Sequence, residues 1–193
     1  MTDAKTVTPD DVLRFWLEEA GEKRWYEADD AFDRQIRDRF LATWQAAHDG
    51  GTAPWTGTAS DTLASAILLD QFPRNMFRGD PRSFATDALA LATVRAAIAR
   101  GDDMATALPQ RQFYYLPFEH SENPADQAEG VALIAERMDR AETLLHAHAH
   151  QEIIRRFGRF PFRNAALGRE TTAEEQAFLD AGAYGALVRE LRG

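Results

Sequence analysis

Cysteine is absent from the 193 residues. That removes disulfides, thiolate metal sites and cysteine nucleophiles, and it fits a reducing compartment. Lysine is nearly absent, since Lys5 and Lys23 are the only two among 22 basic residues. β-formers are scarce: valine and isoleucine together number 11 against 34 alanines, a balance that favours helix and leaves little material for sheet. No apolar run approaches the ~18 residues of a membrane span, and the opening MTDAKTVTPDD lacks the cationic-then-apolar pattern of a leader. A net charge of -9 repels nucleic acid and anionic membranes. The expectation is a soluble, cytoplasmic, all-α protein, one domain over residues 1–193, with a core large enough to need no staples.

Against this acidic background, Ile153 to Arg169 (IIRRFGRFPFRNAALGR) holds five arginines and no acid. A block of this kind reads as a site more than as a fold element.

Along the chain, Thr8-Pro9-Asp10-Asp11 has the hydroxyl cap, early proline and acids of a helix start, with Val12, Phe15 and Trp16 facing inward. Phe32, Ile36, Phe40 and Trp44 make one apolar stripe on a helix over about Asp29 to His48. A loop over 50–60 leads to a third helix carrying Leu63, Ile67 and Leu68, expected to stop at Phe72-Pro73. A fourth, capped by Asp80-Pro81, runs to Arg100-Gly101 with Leu89, Ala92, Ala96 and Ile98 inward. A fifth, Gln110 to Leu116, stops at Pro117. Asn123-Pro124 restarts the chain, with a break near Asp139-Arg140 and a helix end at Phe157-Gly158. Along that last helix His146, His150, Ile153, Ile154 and Phe157 fall within about 100° of one another, with His148 pointing away. Thr172 and Glu175 form a capping box, and Gly182 separates off a final segment, Tyr184 to Leu191. Eight or nine helices result.

Two segments echo each other, Phe72-Pro73-Arg74-Asn75 and Phe160-Pro161-Phe162-Arg163-Asn164. Either each is a helix stop whose Arg and Asn cap nearby carbonyls, or both aim guanidinium forks at one anion. Between them lies Leu116-Pro117-Phe118-Glu119-His120-Ser121-Glu122-Asn123, where carboxylates flank an imidazole, an arrangement that general acid–base chemistry uses. Equally, Ser121 or Asn123 caps the next helix and His120 fills a turn. Glu119, His120, Glu122, His146, His150 and Asp70 offer nitrogen and oxygen ligands, but no His-Glu-x-x-His or Glu-x-x-His spacing joins them, so no metal or other cofactor is expected. Glycine-rich phosphate loops and a Gly-x-Ser-x-Gly elbow are absent.

DQFPRNMFRG, YLPFEHSE and HQEIIRRFGRFPFRNAALGRETTAEEQAFL make the chain resemble, over nearly its whole length, the bacterial domain-of-unknown-function family 924. The resemblance implies an all-α, antiparallel array of the tetratricopeptide type and brings no activity with it. The family pattern reads Phe-Pro-His-Arg-Asn where this chain has Phe162 before Arg163.

Three readings follow. In the first, Arg74, Asn75, Arg159, Arg163 and Asn164 hold a small anion while Glu119 and His120 move a proton. In the second, stacked helices offer a groove to a peptide or protein partner, although no 34-residue repeat is visible. In the third, the arginines are structural, paired with acids such as Asp70, Glu119 and Glu122.

Overall fold

The computed structural model describes residues 7–51 and 53–193. Residues 1–6, which include most of the segment read above for a leader, and Thr52 of the 50–60 loop lie outside it. No strand occurs among the described residues, and the fold is all-α. The chain divides into two compact units, one running to Arg78 and including Arg82–Tyr114, the other made of Gly79–Pro81 and Tyr115–Gly193.

In the first unit, α1 (Pro9–Leu13) starts at a capping box in which Thr8 and Asp11 exchange side-chain and backbone hydrogen bonds. The chain continues as a π-helical stretch, Arg14–Ala20, that Gly21 ends at φ 69°. The long helix α2 (Asp30–His48) is capped by Asp29 and buries Phe32, Ile36, Phe40 and Trp44, as the four-residue spacing requires. The Phe32 and Phe40 rings meet those of Phe15, Trp16 and Phe72 in an aromatic core. Trp16, Trp25 and Trp44 are all buried there, so none of the three is a surface anchor.

The third helix does not stop at Phe72-Pro73. α3 (Ala59–Ala66) passes through a π-helical stretch, Ile67–Gln71, directly into α4 (Phe72–Met76). The wider turn, in which the Phe72 N–H bonds to the Ile67 carbonyl, absorbs the proline. Pro73 cannot donate to the Leu69 carbonyl four residues earlier, and Thr86 Oγ1 donates to it instead. A 3-10 turn over Pro81–Phe84 precedes α5 (Asp87–Arg100), so Asp80-Pro81 opens that turn and not the helix. The buried face of α5 is Ala90, Thr93, Val94 and Ala97, whereas Ala92 and Ala96 are exposed. An alanine-rich helix has so weak an apolar contrast that its face reads a position out of phase. Gln110–Tyr114 is a further 3-10 turn.

In the second unit, α6 (Leu116–Glu119) begins where a helix end was expected, because Pro117 sits in its first turn and needs no N–H partner there. α7 (Pro124–Arg137), capped by Asn123, and α8 (Ala141–Phe157) fold back on each other across three residues. After a loop with a 3-10 turn at Pro161–Arg163 come α9 (Ala173–Asp180), which carries the Thr172/Glu175 capping box, and α10 (Ala183–Arg192). Ala149, Ile153, Ile154, Phe160, Leu187 and Val188 form this unit's core. Since α3 and α4 are halves of one helix, the ten α-segments make nine helices among the described residues.

Gly158 ends α8 in the left-handed conformation, φ 67°, where its N–H bonds to the Ile154 carbonyl at 2.8 Å. A Cβ there would touch nothing within 4 Å, so a side chain costs backbone strain alone. Gly158→Val is expected to lose about 1–2 kcal/mol, read as a lower urea midpoint. An unchanged midpoint would contradict this geometry.

Candidate functional site

The turn from Leu116 to Ser121 is held from below by α7. Gln127, 1 % exposed, donates its amide Nε2 toward the carbonyls of Phe118, Glu119 and Ser121 at 3.2, 2.6 and 2.7 Å. Three acceptors around one amide fix its orientation. One turn on, Gly130 brings the α7 backbone against Phe118. Clamped in this way, Glu119 is 2 % exposed, and its Oε2 lies 3.2 Å from Nδ1 of His150 on α8. The same Nδ1 is 3.0 Å from the His146 carbonyl. Both neighbours are acceptors when Glu119 is ionised, so Nδ1 carries the hydrogen and Nε2 is the basic atom of a neutral His150. Oε1 of Glu119 is buried with no protein partner.

The imidazole that Glu119 meets is therefore His150, brought from α8, and not only its neighbour in sequence. The His120 ring stands edge-on to that of His150 at 5.9 Å, and Phe160 and Tyr184 complete the surround at 5.8 and 4.8 Å. Arg163 lies over Phe160 and donates from Nη2 to the His120 carbonyl at 2.9 Å, pinning the turn from the loop side.

The other arginines of the basic loop meet acids of the same unit. Arg159 grips Glu175 with Nε and Nη2 at 2.6 and 2.9 Å, and Glu175 also accepts from Asn164 Nδ2 and the Thr172 N–H. The Arg159 hydrogen bonds, against the opposing effect of burial and with help from Thr172, hold the Glu175 carboxyl at about 2. Arg169 pairs with Glu122, which also accepts from the Phe160 N–H. Burial pushes the Glu122 carboxyl up, but these hydrogen bonds outweigh it and the group stays below its ordinary value. Arg155 and Arg156 share Glu152, with the Arg155 hydrogen bond the larger cause of a carboxyl at about 2. An anion entering this loop has to compete with Glu122, Glu152 and Glu175.

Arg74 and Asn75 belong to the first unit. Arg74 reaches Asp70 at 3.2 Å and Asp87 at 3.0 Å, while Asn75 Nδ2 donates to Asp33 at 2.8 Å. The two Phe-Pro segments differ in local structure as well, the first inside a continuous helix and the second in a 3-10 turn. Glu119, His120, Arg159, Arg163 and Asn164 all lie in the second unit. The pairing of His150, Glu175 and Gln127 with these residues is not readable from sequence, because each comes from a helix that only folding brings near; the histidine spacing on α8 is the one local signal. Among the described residues no group of three or more His, Asp or Glu side chains is placed to hold a metal ion, and no helix is long and apolar enough to cross a membrane.

The sequence profile of the bacterial proteins of unknown function called DUF924 matches residues 12–183. The chain belongs to that family. A similar fold is seen in a solved structure, a protein of unknown function from Agrobacterium tumefaciens, 42% identical, which aligns over 90% of this chain and 97% of its own with a TM-score of 0.84. No curated protein matches. Phe162, where the family pattern led one to expect histidine, is 44% exposed and stacks on Phe160 at 5.3 Å.

Proposed function

We propose that this DUF924 chain is an enzyme that removes a proton from a small organic acid, with His150 as general base and Glu119 as the carboxylate that orients it. The observation that carries this reading is the contact of a nearly fully buried Glu119 with His150 Nδ1. A carboxylate in that position fixes the tautomer and stabilises the imidazolium that forms when Nε2 takes a proton. With Oε1 unpartnered, the charge of Glu119 is poorly solvated and interacts the more strongly with that cation. The His150 side chain keeps 15% exposure. Arg163 and Gln127 frame the turn, and the paired arginines of the basic loop give it rigidity.

The test is exchange in D2O of a panel of small keto, hydroxy and amino acids, followed by NMR. One of them should lose protium with the native protein, and His150→Gln or Glu119→Gln should slow that exchange by about 10²-fold or more. If no compound exchanges faster with the native chain than with His150→Gln, the proposal fails.

A further inference from the structure

A second acid–base relay lies one helical turn before His150 on α8. His146 presents Nε2 to Glu142 Oε1 at 3.3 Å, and its Nδ1 is hydrogen-bonded to the hydroxyl of Tyr184. The carboxylate is an acceptor, so the ring hydrogen sits on Nε2 and the phenol donates to Nδ1. Carboxylate, imidazole and hydroxyl are thus in the order that activates a nucleophile: an orienting acid, a base and an O–H. Arg192 also reaches Glu142 Oε1 and holds that carboxylate in place from α10.

The backbone around the tyrosine is unusual. Gly182 has φ 102°, and Ala183, with φ 48°, is the sole non-glycine residue at positive φ among those described. Strain of this kind persists where surrounding contacts over-determine it. Here it turns the start of α10 so that Tyr184 falls between the two histidines, its ring 5.8 Å from His146 and 4.8 Å from His150. Tyr184 and His146 are both partly exposed.

We propose that Tyr184 is a nucleophile for acyl transfer from activated esters, with His146 as its base and Glu142 as a positioning residue. In the step, Tyr184 Oη attacks the ester carbonyl carbon, the new O–C bond forms and the bond to the leaving alcohol breaks. His146 Nδ1 takes the phenolic proton and passes it to the departing oxygen. Water then hydrolyses the acyl-tyrosine, releasing the carboxylic acid and restoring the phenol. This inference does not rest on Glu119 and His150; the two sites meet at the Tyr184 and His150 rings and at the His146 backbone carbonyl that faces His150 Nδ1.

The chain holds its own control. Tyr26 is 65% exposed, and its hydroxyl donates to the amide oxygen of Gln112, which is no base. Tyr114 and Tyr115 are buried. The whole protein is treated with p-nitrophenyl acetate, and acetylation of each tyrosine is followed by peptide mass spectrometry alongside p-nitrophenol release. Tyr184 should be acetylated about tenfold faster than the more exposed Tyr26, and Tyr184→Phe should remove the matching burst of p-nitrophenol. His146→Gln keeps a hydrogen-bond acceptor beside the phenol but no base, and should slow Tyr184 about tenfold or more, to the level of Tyr26. Glu142→Gln should give a smaller loss that Glu142→Asp partly restores. Acetylation that follows exposure, with Tyr26 at least as fast as Tyr184, overturns the proposal, as does a His146→Gln variant that labels Tyr184 at the native rate. If His146→Gln does not fold, the ratio of Tyr184 to Tyr26 in the native protein decides alone. Labelling can fail while D2O exchange persists, or the reverse, so the two sites are judged separately.

Discussion

Gly130→Leu is expected to lower the melting temperature by about 5–10 °C, the consequence of roughly 1–3 kcal/mol of overpacking in a domain of this size. Gly130 is buried in the middle of α7, and a Cβ built on it would lie 2.7 Å from Cβ of Phe118 and 3.8 Å from the Glu119 nitrogen. Phe118 is fully buried and cannot swing away, and the turn behind it is tied to α7 by Gln127. Leucine is the better helix former by roughly 1 kcal/mol, which acts in the opposite direction and is too small to change the sign. Gly185→Leu is the control: it sits on the exposed face of α10, where the nearest atom to a new Cβ is the flexible end of Arg189 at 3.6 Å, so its melting temperature should hold or rise slightly. Because the displaced turn carries Glu119, Gly130→Leu should also lose any activity that depends on His150. A Gly130→Leu protein as stable as the native one would mean that α7 does not approach Phe118 this closely.

Acid should destabilise the protein between about pH 4.5 and pH 2, and Glu175→Gln should flatten that response. The Glu175 carboxyl is held at about 2 by Arg159, against 4.5 for an ordinary glutamate. As pH falls below about 4.5 the unfolded chain takes up this proton first, so the stabilisation is fully present above that pH and drains away as pH approaches 2. Glu152, also near 2, and Glu122, also lowered, act in the same direction. Glutamine retains the capping box with Thr172 but no charge for Arg159. The variant should therefore melt several degrees below the native protein at pH 7 and draw level with it near pH 2. Parallel melting curves at every pH would show that the Arg159–Glu175 pair contributes nothing to stability.

Most helices were legible in the sequence because their signals are local. A threonine followed three residues on by an acid, as at Thr8 and Thr172, marks a helix start within four neighbouring residues, and Gly158 in a left-handed turn needs only its own backbone. The apolar stripe of α2 stood out because four aromatic or branched residues recur against charged ones. Proline misled twice. Pro73 and Pro117 read as stops from the local rule, yet a π-helical stretch with Thr86 to take up the Leu69 carbonyl accommodates the first, and the second simply opens a new turn.

The site residues divide in the same way. Sequence alone showed that residues 116–123 hold an acid beside an imidazole, that α8 carries two histidines on its inner stripe, and that the basic loop is dense in arginine. Which acid meets which base was decided by tertiary structure. Glu119 finds His150, Arg159 finds Glu175 and His146 finds Tyr184, each across helices whose relative placement depends on how large side chains interlock and how closely Gly130 lets two backbones approach. Periodicity assigns a residue to a face of its own helix, but a hydrogen bond forms only over about 3 Å between partners. That distance is set by packing, which no run of neighbouring residues encodes.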